Sequence, residues 1–172
     1  MSEEPFSLDQ LYRSIEQHLA TALPGVREVT AWPKIQDRVA LPAVFLEMAE
    51  FEPGTDIGTG ETTLVCKFEA RIVVDSIQRH HHQQAVQLAT QLALILRAQT
   101  WGLEVEPAQF IQAGQDWTRP ELDGYTVWLV EWDQQIYLGP QQWPWPDEPP
   151  GSLWFGLNDD PKEQFFPADN VP

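Results

Sequence analysis

The chain has 172 residues, 42% of them hydrophobic and 11% aromatic, which is enough apolar material for one domain with a proper core and excludes general disorder. Its 26 acidic and 10 basic residues leave a formal charge of −16, which excludes a surface built to grip phosphates, since such surfaces need clustered lysine and arginine. A wall of that charge would instead let a nucleic acid pass with little adhesion.

The opening MSEEPFSLDQ has neither the basic start nor the apolar run of a signal peptide, and no window reaches the length of a membrane span, so a soluble product made in a cytoplasm is expected. The one cysteine, Cys66, has no intrachain partner for a disulfide, which fits a reducing compartment. A first helix is predicted from Ser7, which can cap it with Gln10 three residues on, while Phe6 can staple onto Leu11. Leu8, Leu11, Ile15, Leu19 and Leu23 recur on one face, and Pro24 and Gly25 end it.

Val26 to Trp32 and Pro42 to Glu52 read as the first two strands, the second broken by Pro53 and Gly54. The glycine-rich PGTDIGTG that follows leads straight into Glu61 to Ser76, so the two strands form a large hairpin with a mobile tip. This third strand alternates almost without error. Leu64, Cys66, Phe68, Ala70, Ile72 and Val74 point one way, and Thr63, Lys67, Glu69 and Arg71 the other, giving one dry and one charged face.

After the polar IQRHHHQQ, a second helix carries Ala85, Leu88, Ala89, Leu92, Ala93 and Leu96 at spacings of three and four, and Trp101 and Gly102 close it. Its small alanines suit a helix lying close on a sheet. Leu103 to Leu122 gives no firm pattern, although Leu103 to Pro107 reads as the start of a short strand. Tyr125 to Leu138 reads as the last long strand, with Trp128, Val130 and Trp132 on one face and Val127, Leu129 and Glu131 on the other.

The predicted fold is therefore α+β: a mainly antiparallel sheet of four to five strands with two helices packed on one face, spanning residues 1–139. Residues 140–172 hold 8 of the 15 prolines, one lysine and six aromatics, Trp143, Trp145, Trp154, Phe155, Phe165 and Phe166. No core can be built from that composition, and it is read as an extended acidic arm whose aromatics anchor on its own domain or a neighbouring copy.

Several constellations invite a chemical reading. His80, His81 and His82 are consecutive and fan out around a helix axis, so they cannot all face one ion, and no metal site is expected. His18 falls on the polar side of the first helix, as surface decoration. Gly54, Gly58 and Gly60 precede a strand and lack the following Gly-Lys-Ser or Gly-Lys-Thr, which argues against a phosphate loop. Asp56, Glu61, Asp116 and Asp123 lie in predicted loops where a carboxylate pair would have to assemble in space. With no nucleophile elbow, no ordered Ser, His and Asp signature and no cofactor motif, neither an enzyme nor a cofactor is expected. Exposed Lys67, Glu69 and Arg71, alternating in sign along one strand face, suit a contact between subunits in a closed ring, because two helices cover one side of such a sheet and the other must meet water or another subunit.

The order of these elements resembles the tail terminator (tail completion) proteins of long-tailed bacteriophages, in the Mu-like and lambda-like groups. The resemblance covers about residues 7–138 and is carried by the first helix ending in LPGV, the strand LPAVFLEM, the glycine-rich loop leading into CKFEARIVVDS, the Ala/Leu-rich helix with its Trp-Gly end, and GYTVWLVEW. It implies a virion protein at the head-proximal end of the tail, assembled in the host cytoplasm as a ring, expected to be of six copies. Such a ring caps the tail tube protein, stops its polymerisation and presents the surface that joins a head-completion or stopper protein. DNA would cross the lumen without sequence-specific binding, and no membrane is involved. By resemblance, Thr55, Asp56, Ile57 and Thr59 in the hairpin loop would touch the tube, and Lys67, Glu69 and Arg71 would lie near subunit boundaries. The arm after Gly139 departs from the compact family core. A head-tail joining protein of the neck shares this ring design and is the alternative within the class, and a small metal-binding hydrolase using His80 to His82 with loop carboxylates is the alternative outside it.

Overall fold

A computed structural model describes residues 6–31, 39–142, 154–155 and 166–167. They fall in two units, residues 1–142 and 143–172. The first unit runs α1 (Leu8–Ala22), β1 (Glu28–Ala31), β2 (Ala43–Pro53), β3 (Thr62–Asp75), α2 (His81–Ile95), β4 (Gln109–Gln115), a 3-10 turn (Pro120–Leu122) and β5 (Tyr125–Leu138). The strands form one sheet in the order β1-β2-β3-β5-β4. It is a mixed sheet: β1 runs parallel to β2, and the other three pairings are antiparallel.

Helix α1 starts where expected, with Ser7 accepting the Gln10 N–H at 3.2 Å. Leu11, Ile15, Leu19 and Leu23 are buried, whereas Leu8 stays exposed in the first turn. Helix α2 contributes Ala85, Leu88, Ala89 and Leu92 to the same core. Both helices thus cover one face of the sheet, the face made by Val44 and Leu46 of β2, Cys66, Phe68, Ala70, Ile72 and Val74 of β3, and Val130, Trp132 and Ile136 of β5. Phe68 and Trp132 stack at its centre, ring centroids 5.4 Å apart and planes 14° off parallel. Removing each of these large side chains from water supplies about 1.5–3 kcal/mol, which is why the period-two pattern of β3 fixes which face turns inward.

Three expectations are corrected. Leu103 to Pro107 is irregular, and the strand in this region is β4 at Gln109–Gln115, displaced because its residues are solvated on both faces and carry no alternation. His18 is not mere decoration: its ring meets Trp101 edge-on at 5.5 Å, because the chain turns back after α2 through left-handed Ala98, Trp101 and Gly102 and brings the indole under α1. The face away from the helices is not left wholly to water or another subunit, since Leu122 and the Val39–Leu41 stretch pack on Ala43, Phe45, Val73 and Val127 there.

In the second unit, β6 (Trp154–Phe155) and β7 (Phe166–Pro167) pair antiparallel. The proposed anchors Trp143, Trp145 and Phe165 lie outside the described residues, as does Trp32 at the predicted end of the first strand.

Candidate functional site

The register of the sheet sets Glu47, Glu69 and Glu131 directly across from one another on β2, β3 and β5. Like charges so opposed destabilise a sheet unless cations stand beside them. Two residues along β3, on the same face, stands Arg71 on one side and Lys67 on the other. Arg71 donates through Nε to Asp116 Oδ2 at 2.7 Å, through Nη1 to Glu47 Oε2 at 3.1 Å and through Nη2 to Glu69 Oε2 at 2.7 Å. Arg119 reaches the same Glu47 oxygen at 2.5 Å. Lys67 holds Glu131 at 3.2 Å, and the Gln112 amide donates to the other Glu131 oxygen at 2.5 Å.

This arrangement corrects the reading of Arg71 as an exposed charge: it is 3% exposed. The segment after β4 folds over it, carrying Asp116 and Arg119, so the guanidinium ties β2, β3 and that segment together inside one protomer. Burial works against the charge on both Arg71 and Asp116. The carboxylates around Arg71 outweigh it and hold the guanidinium above its ordinary value, while the Thr118 hydroxyl and amide, with Arg71, hold the Asp116 carboxyl below the usual aspartate range. Lys67 and Glu69 remain on the outward face, and Lys67 is partly open to solvent. Of the loop carboxylates singled out from the sequence, Asp116 is engaged with this cation and not paired with Asp56, Glu61 or Asp123 for acid-base work.

Below Lys67 the same face opens into a trough of about 290 Å³ lined by Glu50, Phe51, Glu52, Val65, Lys67, Ile111 and Asp133. The chain matches no protein-family model, and no curated protein is similar to it.

Thr55, Asp56, Ile57 and Thr59 lie together in the β2–β3 connection, as expected. Asp56 accepts the Gly58 N–H at 2.8 Å, Thr59 donates its hydroxyl to Glu61 at 2.8 Å, and Ile57 stands 48% exposed at the tip. The base of the loop is clamped by the chain leaving β5. Gln142 donates its N–H to the Thr59 carbonyl at 3.0 Å, and Gly60, at φ +84°, leaves a Cβ-sized space that Gln142 fills at 2.5 Å. Only glycine fits there. This clamp went unforeseen, and nothing in the residues around Gly139 and Pro140 marks it beyond the glycine that ends β5, which adopts φ +98°.

The histidine run does not converge. His81 Nδ1 meets Thr126 Oγ1 at 2.6 Å and its ring lies against His82, while His80 precedes the helix in a left-handed conformation. Among the described residues, no group of three or more His, Cys, Asp or Glu side chains is placed to hold a metal ion, and no helix is long and apolar enough to cross a membrane.

Proposed function

We propose that this protein is a structural component of a bacteriophage virion, a tail terminator whose copies close into a ring on the end of the tail tube, stop its growth and offer the surface that receives the head. The observation that carries this reading is the hairpin of β2 and β3. Its root is locked into the core, its β2 arm becomes exposed from Ala49 onwards while the facing β3 residues stay packed, and it ends in the loop of Thr55, Asp56, Ile57 and Thr59, where Ile57 stands open to solvent. A rigid root with a solvent-facing tip suits a protein that must touch the end of a tube. The element order from α1 to β5 follows the order on which the family resemblance rests.

Termination needs no chemistry in this reading. One ring face complements the tube, and the other does not reproduce the tube's growing end. The formal charge of −16 on each copy, multiplied around a lumen, keeps passing DNA from adhering. Lys67 and Glu69 belong to the outward face near a neighbouring copy, with Arg71 acting beneath them as an internal brace. The aromatic residues after Gly139 serve as the arm that reaches a neighbouring copy. The deciding experiment is electron microscopy of particles from a phage lacking this gene: tubes of uncontrolled length are expected. Normal free tails beside unjoined filled heads would move the protein to the neck.

A further inference from the structure

Besides the outer side of the four-residue β1, the five-stranded sheet has two open edges among the described residues. Nothing pairs with the outer side of β4, and β1 covers β2 only at Ala43–Leu46. Beyond that point the Tyr12 hydroxyl takes the Met48 N–H at 3.0 Å, and Ala49–Pro53 are exposed. We infer that these two edges are the two halves of one contact, so that β4 of each copy adds as a strand to the outer half of β2 in the next. The inference rests on the ring reading and specifies how the ring closes.

Composition separates the two edges. QFIQAGQ is the one strand of the five with no charged residue, whereas the outer half of β2 carries Glu50 and Glu52. On a chain of charge −16, copies must meet where carboxylates do not face carboxylates. Two β2 edges brought together would oppose Glu50 and Glu52 to themselves. A neutral edge rich in glutamine against an acidic one has no such clash, and its amides can donate to the carboxylates as Gln112 already does to Glu131 within the protomer.

Exposed apolar surface points the same way. Phe51 is 64% exposed on one edge, and Phe110 and Ile111 are 47% and 49% exposed on the other. Pairing β4 with β4 would stop at a dimer and leave Phe51 in water, while β4 on β2 sets the apolar residues of the two edges beside one another and leaves an unused edge at each end until the ring closes. Both strands carry a bulge, after Met48 and after Phe110, so regular pairing is confined to short stretches beyond them. Short, bulged edges suit a contact that forms only between correctly presented copies.

The test uses the full chain by native mass spectrometry, with Phe51→Asp and Ile111→Asp made separately and thermal unfolding checked for each. Both positions are exposed in the protomer, so both variants should fold. A closed ring for the unaltered chain, monomers for each variant alone, and one-to-one dimers when the two are mixed are the expected result, because the mixture retains one intact junction. A ring that persists in either variant would overturn the edge pairing while leaving the ring itself standing. Self-association of Phe51→Asp into dimers would replace it with β4-to-β4 pairing. Monomers of the unaltered chain at every concentration, alone and with tail tubes, would remove the ring reading and this contact together.

Discussion

Arg71 Nε lies 2.7 Å from Asp116 Oδ2, and this pair closes the segment after β4 over the middle of the sheet. Both side chains are almost fully buried, at 4% and 3% exposure, and Nη1 and Nη2 of the guanidinium reach Glu47 and Glu69 on two neighbouring strands. A buried charge held on three sides adds little net stability, because desolvation consumes much of the Coulombic gain. Its removal is another matter.

Replacing Arg71 with methionine keeps much of the volume and leaves Glu69 and Asp116 without their cation beside an apolar chain, while Glu47 keeps Arg119. The expected loss is about 3 kcal/mol, at the low end for breaking a buried pair since Glu47 retains some water. Urea unfolding followed by tryptophan fluorescence checks it. A midpoint within error of the unaltered protein would mean that the network contributes nothing net.

Asp116 gives the fold an acid-sensitive component. Its folded-state pKa is depressed, so the stabilisation is present above the ordinary aspartate value of about 4 and is lost as pH falls through the lower folded value. Asp116→Asn should be less stable than the unaltered protein at pH 7 and should converge with it in acid. Melting temperatures measured from pH 7 down to about 2 would show two curves closing on each other. Parallel curves would assign the acid dependence to other carboxylates.

How far the chain could be read in advance follows from the same residues. The alternation of β3 identified its inward face correctly, because Cys66, Phe68, Ala70 and Ile72 are each buried, and periodicity reports which way a side chain points. It does not report what other parts of the chain then cover. Arg71 looked like an exposed charge because Asp116 and Arg119, which enclose it, lie more than forty positions away in a stretch with no period of its own. Strand β4 escaped notice for a related reason: an edge strand wet on both faces needs no apolar alternation, and the bulge after Phe110 interrupts any that exists. The parallel pairing of β1 was equally invisible, since nothing local in EVTA marks direction. The loop residues Thr55 to Thr59 were legible as a hairpin tip from their glycines alone, while the clamp from Gln142 depends on where β5 ends.

Gln134 carries a test of the core. It is fully buried, accepts the Trp101 indole N–H at 2.8 Å, and donates to the carbonyls of Gln99 and Glu106, so one side chain satisfies three groups that packing has removed from water. Gln134→Leu fills the space but leaves all three without that partner, and a loss of roughly 2–4 kcal/mol is expected from the cost of buried polar groups left unpaired. The near-ultraviolet circular dichroism of the tryptophans should weaken together with the urea midpoint, since Trp101 lies 6.1 Å from Trp132 and loses its anchor. An unchanged midpoint would mean that water replaces the amide.

Cys66 is buried on the dry face of β3, within the core. Burial pushes its thiol up to about 11, so folding favours the protonated form. This contribution is fully present below the ordinary thiol value near 9 and is lost as pH rises from there towards 11. At pH 8 the two-unit rise alone cuts the thiolate fraction about a hundredfold relative to an unfolded chain, before any barrier to reagent entry is counted. Alkylation by iodoacetamide at pH 8 should therefore be at least about a hundredfold slower in the native protein than in urea, and the native rate should follow the urea dependence of unfolding. Rapid native labelling would place this face of β3 in contact with solvent and undo the assignment of the sheet's inner side.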